Sequence, residues 1–109
     1  MNELTLRELC QECGVSRRAI QGYEMHGLVK ATGKTDRGYL LYGQAEKVKV
    51  EHIKSLQNYG FTVKEILSYQ TADIAVQRNI LKDKLEALRL QKHKLEAYIA
   101  EIQEMLEHS

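Results

Sequence analysis

Residues 5–27 of this 109-residue chain read TLRELCQECGVSRRAIQGYEMHG, and the segment predicts two short helices joined by a tight turn. Thr5 followed by Glu8 is a capping box, whose hydroxyl and carboxylate satisfy free backbone N–H groups at a helix start. Gly14 can adopt the positive φ that ends this helix, and Ser16 can cap a second one that ends at the last glycine of the segment. The predicted order is therefore helix, turn, helix.

A hairpin is predicted next, over residues 30–42, which we call the wing. Its centre, TGKTDRG at 32–38, combines turn residues with the two cations Lys34 and Arg37. The tyrosine- and leucine-rich residues 39–42 after it favour a strand. The wing is therefore expected to be a short hairpin with a basic tip.

Two more helices complete the first predicted domain, residues 1–71. Apolar residues at helical spacing predict a helix that ends near Gly60. Thr62 and Glu65 repeat the capping box and predict a fourth helix, which reaches about Tyr69 before a turn.

The second predicted domain, residues 72–109, has a clear heptad periodicity. Aliphatic residues recur every seven positions from Ile74 to Ile102, and a companion series runs from Arg78 to Leu106. One uninterrupted helix about 50 Å long fits this pattern. It either folds back on its own domain or pairs with a second copy; the homodimer is favoured because one heptad stripe requires an equally long partner. The predicted dimer contacts are Ile74, Leu81, Leu85, Leu88, Leu95, Ile99, Ile102 and Leu106.

The charge of the chain is unevenly distributed. Sixteen Lys and Arg against 15 Asp and Glu give a net charge of +1, which excludes a polycation. Residues 17–54, however, hold eight basic and four acidic side chains. No apolar run approaches the roughly 18–20 residues of a membrane span, so we expect a cytoplasmic protein with no membrane partner.

Together these features predict a mainly α fold: a winged helix-turn-helix head with a small β wing, then a long dimerisation helix. Such an arrangement is suited to duplex DNA, because the second helix can enter the major groove while the wing reaches the neighbouring backbone. A dimer then fixes the spacing between the two half-sites.

Four stretches carry a family resemblance: LRELCQECGVS at 6–16, YEMHGL at 23–28, GYLLY at 38–42 and LQNYGFTVKEI at 56–66. In order and spacing they resemble the MerR family of bacterial transcription regulators, over about residues 4–69. The resemblance implies a homodimer joined by an antiparallel coiled coil and bound to a palindromic promoter element. It further implies that the protein distorts the promoter spacer so that RNA polymerase can engage it.

The same resemblance implies a set of DNA-contacting residues on the second helix and the wing. Arg17 and Arg18 would contact bases or phosphates, and Tyr23 would touch the backbone. A bidentate contact with adenine is open to the Gln21 side chain. The full predicted DNA-binding set is Ser16, Arg17, Arg18, Gln21, Tyr23, Lys34, Arg37 and Tyr39.

Three residues depart from the family pattern. Gln21 and Gly22 stand where the family usually has Arg and Tyr, and Leu40 stands where its wing usually has Arg. These departures keep a second function in view: a coiled-coil interaction adaptor or regulator with weak or no DNA binding.

Other chemistry is poorly supported by the sequence. Cys10 and Cys13 form a C-x-x-C pair, but the scattered histidines do not complete a zinc site, so core packing is expected rather than a metal. No set of side chains forms a catalytic constellation, so neither an enzyme nor a cofactor is expected. Tyr42 and Tyr59 flank apolar clusters and are expected in the core.

The effector is left open. Only three residues follow Leu106, so we expect no separate effector-binding domain. The alternatives are that nothing small is sensed, that a ligand sits between helix and head, or that a protein partner does the sensing.

Overall fold

A computed structural model describes residues 3–109; the first two residues of the predicted N-terminal domain lie outside this range. The described chain divides into two compact units, one reaching Thr71 and the other running from Ala72 to Ser109. In chain order, the elements are β1 (Leu4–Thr5), α1 (Leu6–Cys13), α2 (Arg17–Met25), β2 (Gly33–Lys34), β3 (Leu40–Tyr42), α3 (Gln44–Asn58), α4 (Val63–Thr71) and α5 (Ile74–Glu107).

Local capping interactions position α1 and α2. The Thr5 hydroxyl accepts the Glu8 N–H at 3.2 Å, and the Glu8 carboxylate accepts the Thr5 N–H at 2.9 Å. Gly14 ends α1 with φ 66°, in the left-handed region that favours glycine. The Ser16 hydroxyl accepts the Ala19 N–H at 3.0 Å and starts α2. The predicted helix-turn-helix and its caps are confirmed.

The wing is part of a three-stranded antiparallel sheet. β3 lies in the centre, with Gly33 opposite Leu41 on one side and Leu4 opposite Tyr42 on the other. The predicted hairpin is confirmed as β2 and β3. β1 was not predicted, because two residues are too short to show the alternation by which a strand is recognised.

The N-terminal unit, which ends at Thr71 and which we call the head, has an aliphatic core to which every helix up to α4 contributes. Leu9 of α1, Ile20 of α2, Ile53 of α3 and Ile66 of α4 are each 0% exposed, and so is Tyr42 of β3. This burial holds the short helices in place, since helices of eight or nine residues are marginal on their own.

The second capping box forms as predicted. The Thr62 hydroxyl accepts the Glu65 N–H at 3.1 Å, and the Glu65 carboxylate accepts the Thr62 N–H at 2.9 Å, at the start of α4. The expectation that Tyr59 lies in the core is wrong: its side chain is 51% exposed, because it lies beyond the last turn of α3.

The C-terminal unit is a single 34-residue helix, α5. The Asp73 carboxylate accepts the Val76 N–H at 2.9 Å and caps its start. No residue of α5 is buried, and leucines of the predicted heptad series stay exposed, Leu88 at 39% and Leu106 at 71%. Among residues 3–109, no helix has both the length and the apolar character needed to cross a membrane.

Candidate nucleic-acid interface

The outer face of α2 is polar and accessible. Ile20 and Tyr23 turn into the core, which leaves Arg17, Arg18 and Gln21 exposed on the opposite side of the helix. No hydrogen bond or salt bridge within residues 3–109 engages these three side chains. They are therefore available to a ligand.

The tip of the wing is a tight, internally bonded turn. The Thr35 N–H donates to the Tyr39 carbonyl at 2.8 Å, and the Gly38 N–H donates to the Thr35 carbonyl at 2.9 Å. Gly38 has φ 85°, a conformation that favours glycine. This turn exposes the side chains of Lys34 and Arg37.

A cleft lies between the starts of α1 and α2 on one side and the wing on the other. Arg7 and Arg17 line it on the helical side, and Tyr39 and Leu40 line it on the wing side. Its volume is about 600 Å³. The two predicted elements thus lie on either side of one open depression.

Two of the basic residues between positions 17 and 54 are paired within the head. The Lys47 ammonium lies 2.9 Å from the Glu12 carboxylate, and this hydrogen bond raises the pKa of Lys47. Lys49 lies 3.0 Å from Glu46, which is buried and also accepts the Lys30 N–H at 3.1 Å. These contacts tie α3 to α1 and to the segment after α2.

A third cation, Lys54, stabilises the end of α1. Its ammonium donates to the carbonyls of Cys13 and Gly14, both at 3.1 Å, where the helix dipole favours positive charge. The basic stretch therefore carries less accessible charge than its composition predicts. Its other cations, for which the described structure gives no side-chain partner, are Arg17, Arg18, Lys30, Lys34 and Arg37.

Two buried tyrosines hold α2 in place. The Tyr42 hydroxyl donates to the Glu24 carboxylate at 2.6 Å and links β3 to α2. Burial, followed by this bond to Glu24, raises the pKa of Tyr42 far above its usual range. The Tyr23 hydroxyl donates to the Gln57 amide oxygen at 2.6 Å and links α2 to α3.

Tyr23 is placed differently from the other predicted contacts. It is only 2% exposed, and burial raises the pKa of its phenol. Its ring packs in the core because it lies one turn after Ile20 on the inward face of α2. The predicted DNA-contacting residues that are exposed are Ser16, Arg17, Arg18, Gln21, Lys34, Arg37 and Tyr39.

The cysteines belong to the packing of α1. Cys13 is 6% exposed, Cys10 is half-buried, and both are free thiols. Burial raises the pKa of the Cys13 thiol and so disfavours the thiolate that binds metals. Within residues 3–109, no group of three or more His, Cys, Asp or Glu side chains is arranged to hold a metal ion.

Sequence reasoning missed Arg7 as a member of this surface. Arg7 is the second residue of α1 and reaches the cleft only because α1, α2 and the wing pack together. The sequence signal was a cation on the polar face of the first helix, next to the capping box.

The fold matches solved structures over most of the chain. A MerR family transcriptional regulator from Bacillus cereus superposes with a TM-score of 0.77 at 21% identity, covering 94% of this chain and 79% of that one. HiNmlR, described as a MerR family regulator lacking the sensor domain and bound to promoter DNA, superposes with a TM-score of 0.71 at 16% identity, covering 89% of this chain and 78% of that one. The winged helix-turn-helix head and the long C-terminal helix are thus a known fold.

A curated relative is also similar to this chain in sequence. The mercuric resistance operon regulatory protein of Bacillus cereus is 39% identical over 59 residues, which are 54% of this chain and 45% of the relative. The chain therefore spans about half the length of that relative.

The family model described as MerR HTH family regulatory protein matches residues 4–72, which is more than half of the chain and includes α1, α2, the wing, α3 and α4. This chain belongs to the MerR helix-turn-helix family.

Proposed function

We propose that the protein is a sequence-specific, DNA-binding transcriptional regulator of the MerR type rather than an enzyme. The observation that carries the proposal is the unpaired Arg17 and Arg18 on the exposed face of α2, across a cleft from the exposed wing. An exposed helix next to a basic hairpin matches the shape of a major groove and its flanking backbone.

Within this proposal the two elements do different work. Arg18 and Gln21 enter the major groove, where guanidinium and amide groups distinguish base edges, and Arg17, at the start of α2, contacts the backbone beside the groove. Lys34, Arg37 and Tyr39 bind backbone phosphates from the wing and fix the register. Ser16 caps α2, and the buried Tyr23 contributes by holding the helix at its angle, through Gln57.

The long helix supplies the second half of the proposal, a homodimer. An isolated α5 exposes its heptad leucines to water, and a second copy of the helix would cover them. The antiparallel orientation comes from the family resemblance. The contacts proposed for this coiled coil are Ile74, Leu81, Leu85, Leu88, Leu95, Ile99, Ile102 and Leu106.

The target we propose is a palindromic promoter element, which the dimer distorts so that RNA polymerase engages it. Support comes from the family of the head and from HiNmlR, a structural neighbour solved on promoter DNA. A protein with this target acts where bacterial promoters lie, in the cytoplasm.

Binding to duplex DNA at increasing salt tests the proposal. A dimer with about eight phosphate contacts should give a slope near −7 for log K against log salt. Selection of bound sequences from random duplexes would then identify the half-site and its spacing.

The site itself is tested by Arg18→Ala, with Arg89→Ala on α5, outside the two heptad series, as matched control. Arg18→Ala should weaken binding to the selected duplex by about 5- to 150-fold, as expected for a lost base or phosphate contact, and should leave the dimer intact. Unchanged affinity in Arg18→Ala would contradict the proposed site. An intact dimer without measurable affinity for any duplex would favour the interaction adaptor instead.

A further inference from the structure

We propose that Arg7 is a further DNA contact, and that the cleft between the start of α1, the start of α2 and the wing binds a backbone phosphate. This inference rests on the proposed function and deepens it. It assigns a role to a residue that lies outside the DNA-binding set predicted from the sequence.

Two arginines from different helices line the cleft. Arg7 comes from the first turn of α1 and Arg17 from the first residue of α2, and both line the same depression. Its volume of about 600 Å³ leaves room for a phosphate together with an adjoining sugar. Two guanidiniums on one phosphate make charge-assisted and often bidentate hydrogen bonds, which are among the strongest polar contacts a protein offers.

Among residues 3–109, no carboxylate lines the cleft to neutralise this charge. Glu8, the acid next to Arg7, is turned back to the Thr5 N–H, and this bond lowers the pKa of Glu8. Neither arginine has a salt-bridge partner in the described part of the chain. The described lining of the cleft therefore carries two cationic side chains and no acidic one, which favours an anionic ligand.

The wing side of the cleft offers groups that can contact both a phosphate and a sugar. Tyr39 is 65% exposed, and its N–H is already used by the Thr35 hydroxyl at 3.1 Å, so its phenol is the donor that it offers to a ligand. Leu40, 36% exposed, adds an apolar surface against which a deoxyribose can pack. The wall thus combines a neutral donor with an apolar face.

Continuity with the proposed interface identifies the phosphate as one in a DNA backbone. Arg17 belongs both to the cleft and to the exposed face of α2, and Tyr39 belongs both to the cleft and to the wing. A duplex that touches α2 and the wing at once must pass its backbone over the cleft between them. Arg7 then anchors the strand that crosses it.

The test compares the wild-type protein with Arg7→Gln, Arg7→Lys and the control Arg89→Gln, using a mixed-sequence duplex and a salt titration. Each subunit of Arg7→Gln loses one phosphate contact, so the slope should fall from about −7 to about −5. Affinity near physiological salt should drop about 10- to 30-fold, equally on all sequences, because phosphate contacts carry no base information. Arg7→Lys keeps the charge and should recover most of the slope, while Arg89→Gln should match the wild type. Thermal unfolding checks that all variants are folded.

Other outcomes overturn the inference. A wild type that binds duplex DNA with a steep slope, together with an unchanged slope in Arg7→Gln, rejects Arg7 while leaving the proposed function in place. A wild type without DNA affinity rejects both. A final experiment measures the melting temperature of both proteins with inorganic phosphate. If phosphate raises the melting temperature of the wild type but not of Arg7→Gln, while both proteins bind DNA equally, the cleft binds a free anion and not DNA.

Discussion

The head and the C-terminal helix obtain their stability from different sources. Every helix of the head buries at least one side chain, and Leu9, Ile20, Ile53 and Ile66 are completely inaccessible. By contrast, α5 buries none of its 34 residues. An amphipathic helix with an uncovered apolar stripe is stabilised mainly by the surface that covers it, so the head carries its own core, whereas the proposed dimer would supply the cover for α5.

The largest effect is expected from a charged residue placed in the apolar heptad stripe of α5. Leu88→Asp places a carboxylate at the centre of the proposed dimer contact, where desolvation costs several kcal/mol. We expect the dimer to weaken by more than about 100-fold, with the fold of the head unchanged. Analytical ultracentrifugation measures the association, and near-ultraviolet circular dichroism reports on the tyrosines, of which five lie in the head and Tyr98 lies on α5.

Leu90→Asp is the matched control for this prediction. Leu90 is 56% exposed and lies outside both heptad series, so the same chemical change should leave association close to wild type. Equal losses in the two variants would show that the helix pairs through a different face.

A substitution that leaves a cavity in the core of the head should instead destabilise the head itself. Ile53→Ala removes a fully buried side chain of α3 and should lower the free energy of unfolding of the head by about 2–5 kcal/mol. Val48→Ala, on the same helix but 61% exposed, should change it by less than about 0.5 kcal/mol. Denaturant titration measures both. Similar values for the two variants would contradict the assignment of the core.

The smallest effect is expected at the Tyr42–Glu24 hydrogen bond, where Tyr42→Phe should cost about 1.5–3 kcal/mol at neutral pH. The raised pKa of Tyr42 means that the native state resists ionisation. Below about pH 10 both states keep this proton and the contribution is complete; above it the unfolded state ionises first, so stability is lost as pH rises. Denaturant titrations from neutral to alkaline pH should therefore show a larger loss in the wild type than in Tyr42→Phe, whose remaining loss includes the contributions of the buried Tyr23 phenol and Cys13 thiol. Tyr59→Phe, at a half-exposed ring, should keep the wild-type pH dependence.

Features with a local cause were predictable from the sequence. The capping boxes at Thr5 and Thr62, the Ser16 cap and the left-handed Gly14 each depend on residues within one helical turn, and all are present in the structure. The heptad pattern likewise predicted the extent of α5. Spacing along the chain is sufficient evidence where the interaction is itself confined to a few neighbouring residues.

Features that need distant residues were not predictable. Pairing of Lys47 with Glu12 and of Lys54 with two α1 carbonyls joins positions 35 to 41 residues apart, so composition overstated the positive surface. The positions of Tyr23 and Arg7 also depend on how the helices pack, and the sequence did not predict either of them. The helix packing buries one residue expected at the surface, and it brings the other into a cleft that no motif marks.

The turn between α1 and α2 also has a consequence for how the chain can vary. A Cβ on Gly14 would lie 2.8 Å from the Lys54 ammonium, and φ at this position is +66°. A shorter side chain at position 54 would remove the clash with a Cβ on residue 14. The positive φ at position 14 would still be unfavourable for a residue with a side chain, so no substitution at 54 relieves the strain there. In a library of double variants, substitutions at 14 should remain destabilising on every background at 54. The constraint on the turn is thus one that a compensating second mutation at residue 54 cannot relieve.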